Sequence, residues 1–181
     1  MNITKEMTDW FYKRTYHHVD LVEKYINIYY DGKVPYNLLD NGHDESKFEE
    51  PEFTPYVIIT WDYRCKEHGI PFIVPNNIKE DLNKATLHHI KSNRHHPEYW
   101  VERETELLSR DNRDSADIPT IHIEDMPIDA LVEMCADWCA MSEEKGNTPF
   151  DWYNKVIGVR WDFGPTDNKT IIKILMNMWV D

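Results

Sequence analysis

The chain has 181 residues, the length of one compact domain. Its 41% hydrophobic and 13% aromatic content speaks against intrinsic disorder, which is poor in aromatics. A formal net charge of −13, from 20 Lys+Arg against 33 Asp+Glu, argues against a nucleic-acid polymer as partner, because duplex binders present a basic face.

Residues 4–30 are predicted to form a helix, since Phe11, His18, Val22, Tyr25 and Tyr29 recur at helical steps on one face. Gly32, Pro35 and Gly42 break it, and a short helical piece follows from His43. A second long helix is expected over Pro51–Lys66, then a loop through "HGIPFIVPNN". A helix over 77–95 should end where Pro97 forces its predecessor out of the α region. The polar run "SRDNRDSADIPT" reads as a surface loop. Asp125 and Pro127 form a helix-start pair for a helix to about Glu144, and a last helix covers 167–179. One short strand pair is allowed near Val57 or Ile121. The expected fold is all-α, a single-domain helical bundle over 1–181, with its motifs at about 15–140 and a C-terminal helical extension over 145–181.

The cysteines are Cys65, Cys135 and Cys139, an odd count without a Cys-x-x-Cys pair. They read as reduced thiols of a cytoplasmic protein, with Cys135 and Cys139 one helical turn apart in the core. The polar N-terminus and the lack of any run of about 18 apolar residues predict neither signal peptide nor membrane span.

The chemistry is concentrated in nine histidines: His17-His18, His43 beside Asp44, His88-His89, His95-His96, and the separate His68 and His122. Imidazole is the commonest metal-binding side chain, and a carboxylate beside it can bridge two cations. His18 lies on the apolar stripe of the first helix. His89, Asn93 and His96 are spaced at four and three, one face while the helix lasts. Asp137 shares a stripe with Ala130, Met134 and Met141, a costly place for a carboxylate unless it is paired or binds metal. Each part also has a plain structural reading. A histidine on an apolar stripe is often a hydrogen-bonded core residue, a doubled histidine suits a helix end, and Asp137 could pair with Arg94 or Arg160.

The order His, His-Asp, His, His-His, Asp resembles the HD-domain superfamily of metal-dependent phosphohydrolases, above all its two-metal members: the HD-GYP cyclic-dinucleotide phosphodiesterases and the related mixed-valence di-iron oxygenases. "HDESK" keeps the lysine common after the "HD" pair, as Lys47. "HDESKFEEPEF", "HHIKSNRHHPEYW" and "EMCADW" are also similar to a family of small HD-like proteins, many of them viral. The resemblance covers about residues 15–140; no "GYP" follows the histidine pair, and the tail from "GNTPFDWY" onward carries no usable motif. It implies one metal held by His18, His43, Asp44 and Asp137, and a second held by bridging Asp44 with His89 and either His95 or His96. His17 and His88 are the neighbours most easily confused with these ligands.

The function expected is hydrolysis of a small nucleotide-like phosphate ester, with one or two divalent ions (Mn, Co, Fe, Mg or Zn) activating water. Asp44 and Lys47 are the candidate catalytic residues, Lys47 and Arg94 the phosphate contacts. Glu133 and Asn93 are expected to orient ligands, and Trp138, Trp100 and Tyr99 either stack on a base or fill the core. Alternatives are a di-iron oxygenase on the same ligands and a non-catalytic protein stabilised by metal. The expected partner is a small phosphorylated molecule, with no membrane and with a homo-oligomer left open. The expected location is the cytoplasm, the host's for a viral member.

Overall fold

The computed structural model describes residues 2–35, 38, 42–102 and 119–179. The protein is an all-α, single-domain bundle of six helices among the described residues. They are α1 (Lys5–Tyr29), α2 (Phe53–Glu67), α3 (Ile78–Ser92), α4 (Ile128–Lys145), α5 (Pro149–Val156) and α6 (Gly164–Met178). Short 3-10 turns at Glu45–Phe48 and Pro97–Trp100 join them. Most of the expected loop over 109–120 lies outside the described residues. No described helix is long and apolar enough to cross a membrane.

The bundle is organised on α1, which packs against α4, α2 and α6. The Thr4 hydroxyl caps its start by accepting from the Met7 amide at 3.3 Å. Its buried face changes character along its length. Met7 and Phe11 join Val57, Ile58, Ile78 and Leu82 in one apolar cluster. Leu21, Val22, Tyr25 and Ile26 join the larger cluster of α4 and α6. Between them the buried positions are Thr15 and His18. Helix α3 repeats the pattern: Ile78 and Leu82 in the first cluster, Thr86 and His89 next, Ile90 in the second. A polar belt therefore crosses the core between two apolar clusters. Burying it is costly unless its groups satisfy one another or a ligand.

Three sequence expectations shift. The allowed strand pair occurs at Ile121–His122 (β1), parallel to Trp161–Asp162 (β2); Val57 is instead buried inside α2. The helix expected over 77–95 stops at Ser92, because Asn93 is extended (φ −109°, ψ 119°) three residues before the prolyl restriction would act. Asn93 and His96 therefore do not continue a helical face from His89, and the His95-His96 pair is carried by a turn. The last helix begins at Gly164, and a separate α5 precedes it. Gly146, left-handed at φ 67°, ends α4, and Thr148 and Asp151 form a reciprocal capping box with Pro149 in the first turn of α5.

Candidate metal centre

The belt gathers side chains from four segments. The His43-Asp44 pair sits in the turn before the first 3-10 segment, with Asp44 left-handed at φ 63°. A non-glycine residue there carries backbone strain of the kind that collects at functional sites. Helix α1 delivers His18, α3 delivers His89, the following turn delivers His95 and His96, and α4 delivers Glu133 and Asp137 from successive turns of one face. His43, Asp44, His89 and His95 are all buried.

The hydrogen bonds fix the imidazoles. His43 Nδ1 donates to Glu133 Oε1 at 2.9 Å, and His95 Nδ1 donates to the same oxygen at 3.1 Å. His89 Nδ1 donates to Glu52 Oε2 at 2.8 Å. With Nδ1 protonated, each ring presents a bare Nε2 lone pair. Those lone pairs point at an acceptor: His89 Nε2 lies 3.3 Å and His95 Nε2 3.6 Å from Asp44 Oδ1, and His43 Nε2 lies 3.6 Å from Asp44 Oδ2. Asp44 Oδ1, His43 Nε2 and His18 Nδ1 are buried without a hydrogen-bond partner among the described residues. Acceptors facing acceptors in a dry interior repel unless a cation lies among them.

Three groups of described residues have ligand-atom spacing suited to an ion, and one of them, His43, His95 and Glu133, is already joined by the Nδ1 hydrogen bonds to Glu133. The atoms of Asp44, His89, His95 and His96 lie within 4.8 Å of one another, as do those of His18, His43 and Asp137. His18 Nε2 is 3.0 Å from Asp137 Oδ1, so His18 partners Asp137, while Arg94 pairs with Asp129 (3.2 Å) and Arg160 with Glu98 (2.8 Å). The donors are nitrogen and oxygen only. Burial pushes the Cys139 thiol up to about 12, with the Asp137 charge adding to it, and burial also raises Cys135; neither thiol joins a cluster. These buried groups can hold a metal ion.

Electrostatics keep the carboxylates ready for that role. Burial alone would raise the Asp44 carboxyl, but Lys47, His43, His89 and His95 outweigh it and hold it well below the ordinary carboxylate range. Burial is likewise overcome at Glu133, held at about 2 by the hydrogen bonds from His43 and His95, and at Asp137 by His18. Burial depresses His89, which favours the neutral ligand form. The His95 imidazole is raised, because the Glu133 hydrogen bond and the Asp44 charge exceed its desolvation.

The remaining expected residues fall around this centre. Lys47 Nζ donates to Asp44 Oδ2. Asn93 Nδ2 donates to Ser46 Oγ at 2.7 Å and to the His89 carbonyl at 2.8 Å, joining the first 3-10 turn to the end of α3. Arg94 is exposed, its guanidinium 5.5 Å from the Trp100 ring. His17 is exposed, and His88, half exposed, donates Nδ1 to Glu52 Oε1 at 2.7 Å. The geometry thus brings His18 and His89, not their neighbours, to the belt, and it brings both His95 and His96. Sequence reasoning missed Glu52, fully buried and shared by His88 and His89. Nothing separates it from the other acids of "EEPEF" except its fold.

A model described as a family of unknown function (DUF5662) matches residues 7–177. No curated protein and no solved structure matches the chain.

Proposed function

The chain belongs to DUF5662, whose description carries no activity to inherit, and from the geometry of its site we propose that it is a metal-dependent phosphohydrolase acting on a small phosphate ester. The carrying observation is the convergence of three imidazole Nε2 atoms on Asp44, two of them on its unpartnered Oδ1 and one on Oδ2, which Lys47 also holds. The phosphohydrolase class comes from the HD resemblance of the ligand order. The two constellations meet at the adjacent His43 and Asp44. One ion would be held by His18, His43 and Asp137 and a second by Asp44, His89, His95 and His96, with Asp44, next to His43 in the chain, available to both.

Divalent ions held there would supply an activated water near neutral pH and would offset charge building on the phosphoryl oxygens. The chain's own residues do the rest. Glu133 and Glu52 hold the Nδ1 protons of His43, His95 and His89, so that Nε2 remains the ligand atom. Asp44 holds the Lys47 ammonium beside the site, where its long stem lets it move onto a non-bridging phosphate oxygen as a point charge. The two apolar clusters on either side limit water access and keep these charges effective.

The test is a phosphate-release screen over nucleotides and simple esters, with Mn²⁺, Co²⁺, Mg²⁺, Zn²⁺ and Fe²⁺ supplied separately. Metal-dependent release by the wild type, lost in Asp44→Ala, is expected. No release from any ester with any ion overturns the proposal. Dioxygen consumption confined to the iron-loaded protein, without phosphate release, assigns the same ligands to an oxygenase.

A further inference from the structure

The segment without a usable motif, from Lys145 onward, walls a cavity of about 220 Å³ that opens on the metal centre. His95, His96 and Asp137 line one part of it, and Trp138, Trp152 and Trp161 another. The Trp138 and Trp161 rings are stacked, with centroids 6.0 Å apart and planes at 8°. Trp161 is 3% exposed, and its Nε1 has no hydrogen-bond acceptor among the described residues. A buried indole N–H normally finds a partner, and the residue that carries this one borders the cavity. Lys145 and Asn147 also line this cavity and provide a cation and an amide.

We infer that this cleft seats the nucleobase of a mononucleotide, with the ring against Trp152, an acceptor atom toward Trp161 Nε1, and the phosphate toward His96 and Asp137. Three observations favour that occupant. Trp152, half-buried on the cavity wall, offers a ring to a base, since every base has a π-face. The volume is below the roughly 300–1,000 Å³ of pockets for larger ligands, which leaves room for one ring system and not for a dinucleotide. The second cavity beside the centre sets Glu45 and Glu133 against one cation, Arg94, whereas this one sets Lys145 and Arg160 against Asp137 alone, a balance that suits a phosphate better. The inference rests on the phosphohydrolase reading for the fate of the phosphate, but not for the seating of the base.

The experiment is calorimetric titration of the Mn²⁺-loaded protein with adenosine and thymidine 5′-monophosphates, the corresponding nucleosides, and glycerol phosphate. It is paired with phosphate-release kinetics on the three phosphates. The nucleotides should bind at least tenfold tighter than glycerol phosphate, and a nucleoside should bind measurably without its phosphate. Trp152→Ala should weaken nucleotide binding roughly tenfold, the loss expected for one base-stacking contact, with unchanged metal content. Trp161→Phe keeps a ring but removes the donor and should weaken nucleotides more than glycerol phosphate. If Trp161→Phe fails to fold, Asn147→Ala, at an exposed position, takes its place with the same expected preference. Nucleotides binding no better than glycerol phosphate overturn the inference, as do Trp152→Ala and Asn147→Ala proteins that bind nucleotides like the wild type. Release from glycerol phosphate with no base preference removes the base site and leaves the phosphohydrolase standing. Base-dependent binding without release from any phosphate does the reverse.

Discussion

Glu133 Oε1 receives protons from two rings at once, His43 and His95, and so sets the ligand atom of both. Glu133→Gln weakens that acceptor and removes its charge. We expect metal affinity to fall about 10- to 100-fold, the usual cost of losing a partner of a ligating histidine, measured by competition with a fluorescent chelator. Lys47 differs, because it touches Asp44 without offering a ligand lone pair at neutral pH. Asp44 raises the Lys47 ammonium in spite of the desolvation that opposes it. Lys47→Ala should keep its metal and lose turnover on a phosphate ester, with kcat falling if the ammonium acts mainly in the transition state. Wild-type kinetics in that variant would make Lys47 a structural neighbour of Asp44. At this scale the sequence was informative where a polar residue interrupts an apolar stripe, as at His18 on α1. It was silent where the partner lies on another segment, as for Glu52, whose role comes from the approach of α3 to the chain just before α2.

Helices α1 and α4 are tied outside the centre by Tyr25, whose hydroxyl donates to Glu143 Oε2 at 2.6 Å while Lys24 pairs with the same oxygen. Burial first, and then the Glu143 hydrogen bond and charge, raise the Tyr25 phenol far above its usual 10. A group raised in the folded state contributes stability in full below its unfolded pKa of about 10 and loses it as the pH climbs above that value. Tyr25→Phe should therefore destabilise the protein by about 1–3 kcal/mol near pH 7, as for a hydrogen bond to a charged group. The gap from wild type should close progressively above pH 10 in urea unfolding. A gap that persists unchanged there would show that the hydroxyl matters only for packing. Further along, Thr148→Ala removes the cap of α5 and should cost about 1 kcal/mol. Because α5 carries Trp152 to the cleft, the same variant should also loosen nucleotide binding. The Thr148-x-x-Asp151 cap was present in the sequence, but α5 has only eight residues, too few for its apolar period to stand out. The early end of α3 was not legible. Pro97 marks only where a helix must stop, whereas Asn93 leaves the helix sooner, its amide donating to Ser46 and its own chain.

For the whole molecule, the centre joins α1, the His43-Asp44 turn, α3 with its following turn, and α4, the segments that separate the two apolar clusters. An ion bound only by the folded state stabilises it by mass action, about 2.7 kcal/mol at a free concentration 100 times Kd. Chelation should lower the melting temperature of the wild type and leave that of Asp44→Ala unmoved. The all-α architecture was readable from helical spacing in four segments. That His18 faces the core was readable from its stripe, but which histidines meet it depends on helix crossings that no local pattern encodes. The most direct measurement is titration of purified, chelator-treated protein with Mn²⁺ by calorimetry, checked by elemental analysis. The account predicts two ions per folded chain, with binding abolished or reduced to one weak site in Asp44→Ala. A folded wild-type protein that takes up no Mn²⁺, Co²⁺, Zn²⁺ or Fe²⁺ would contradict it.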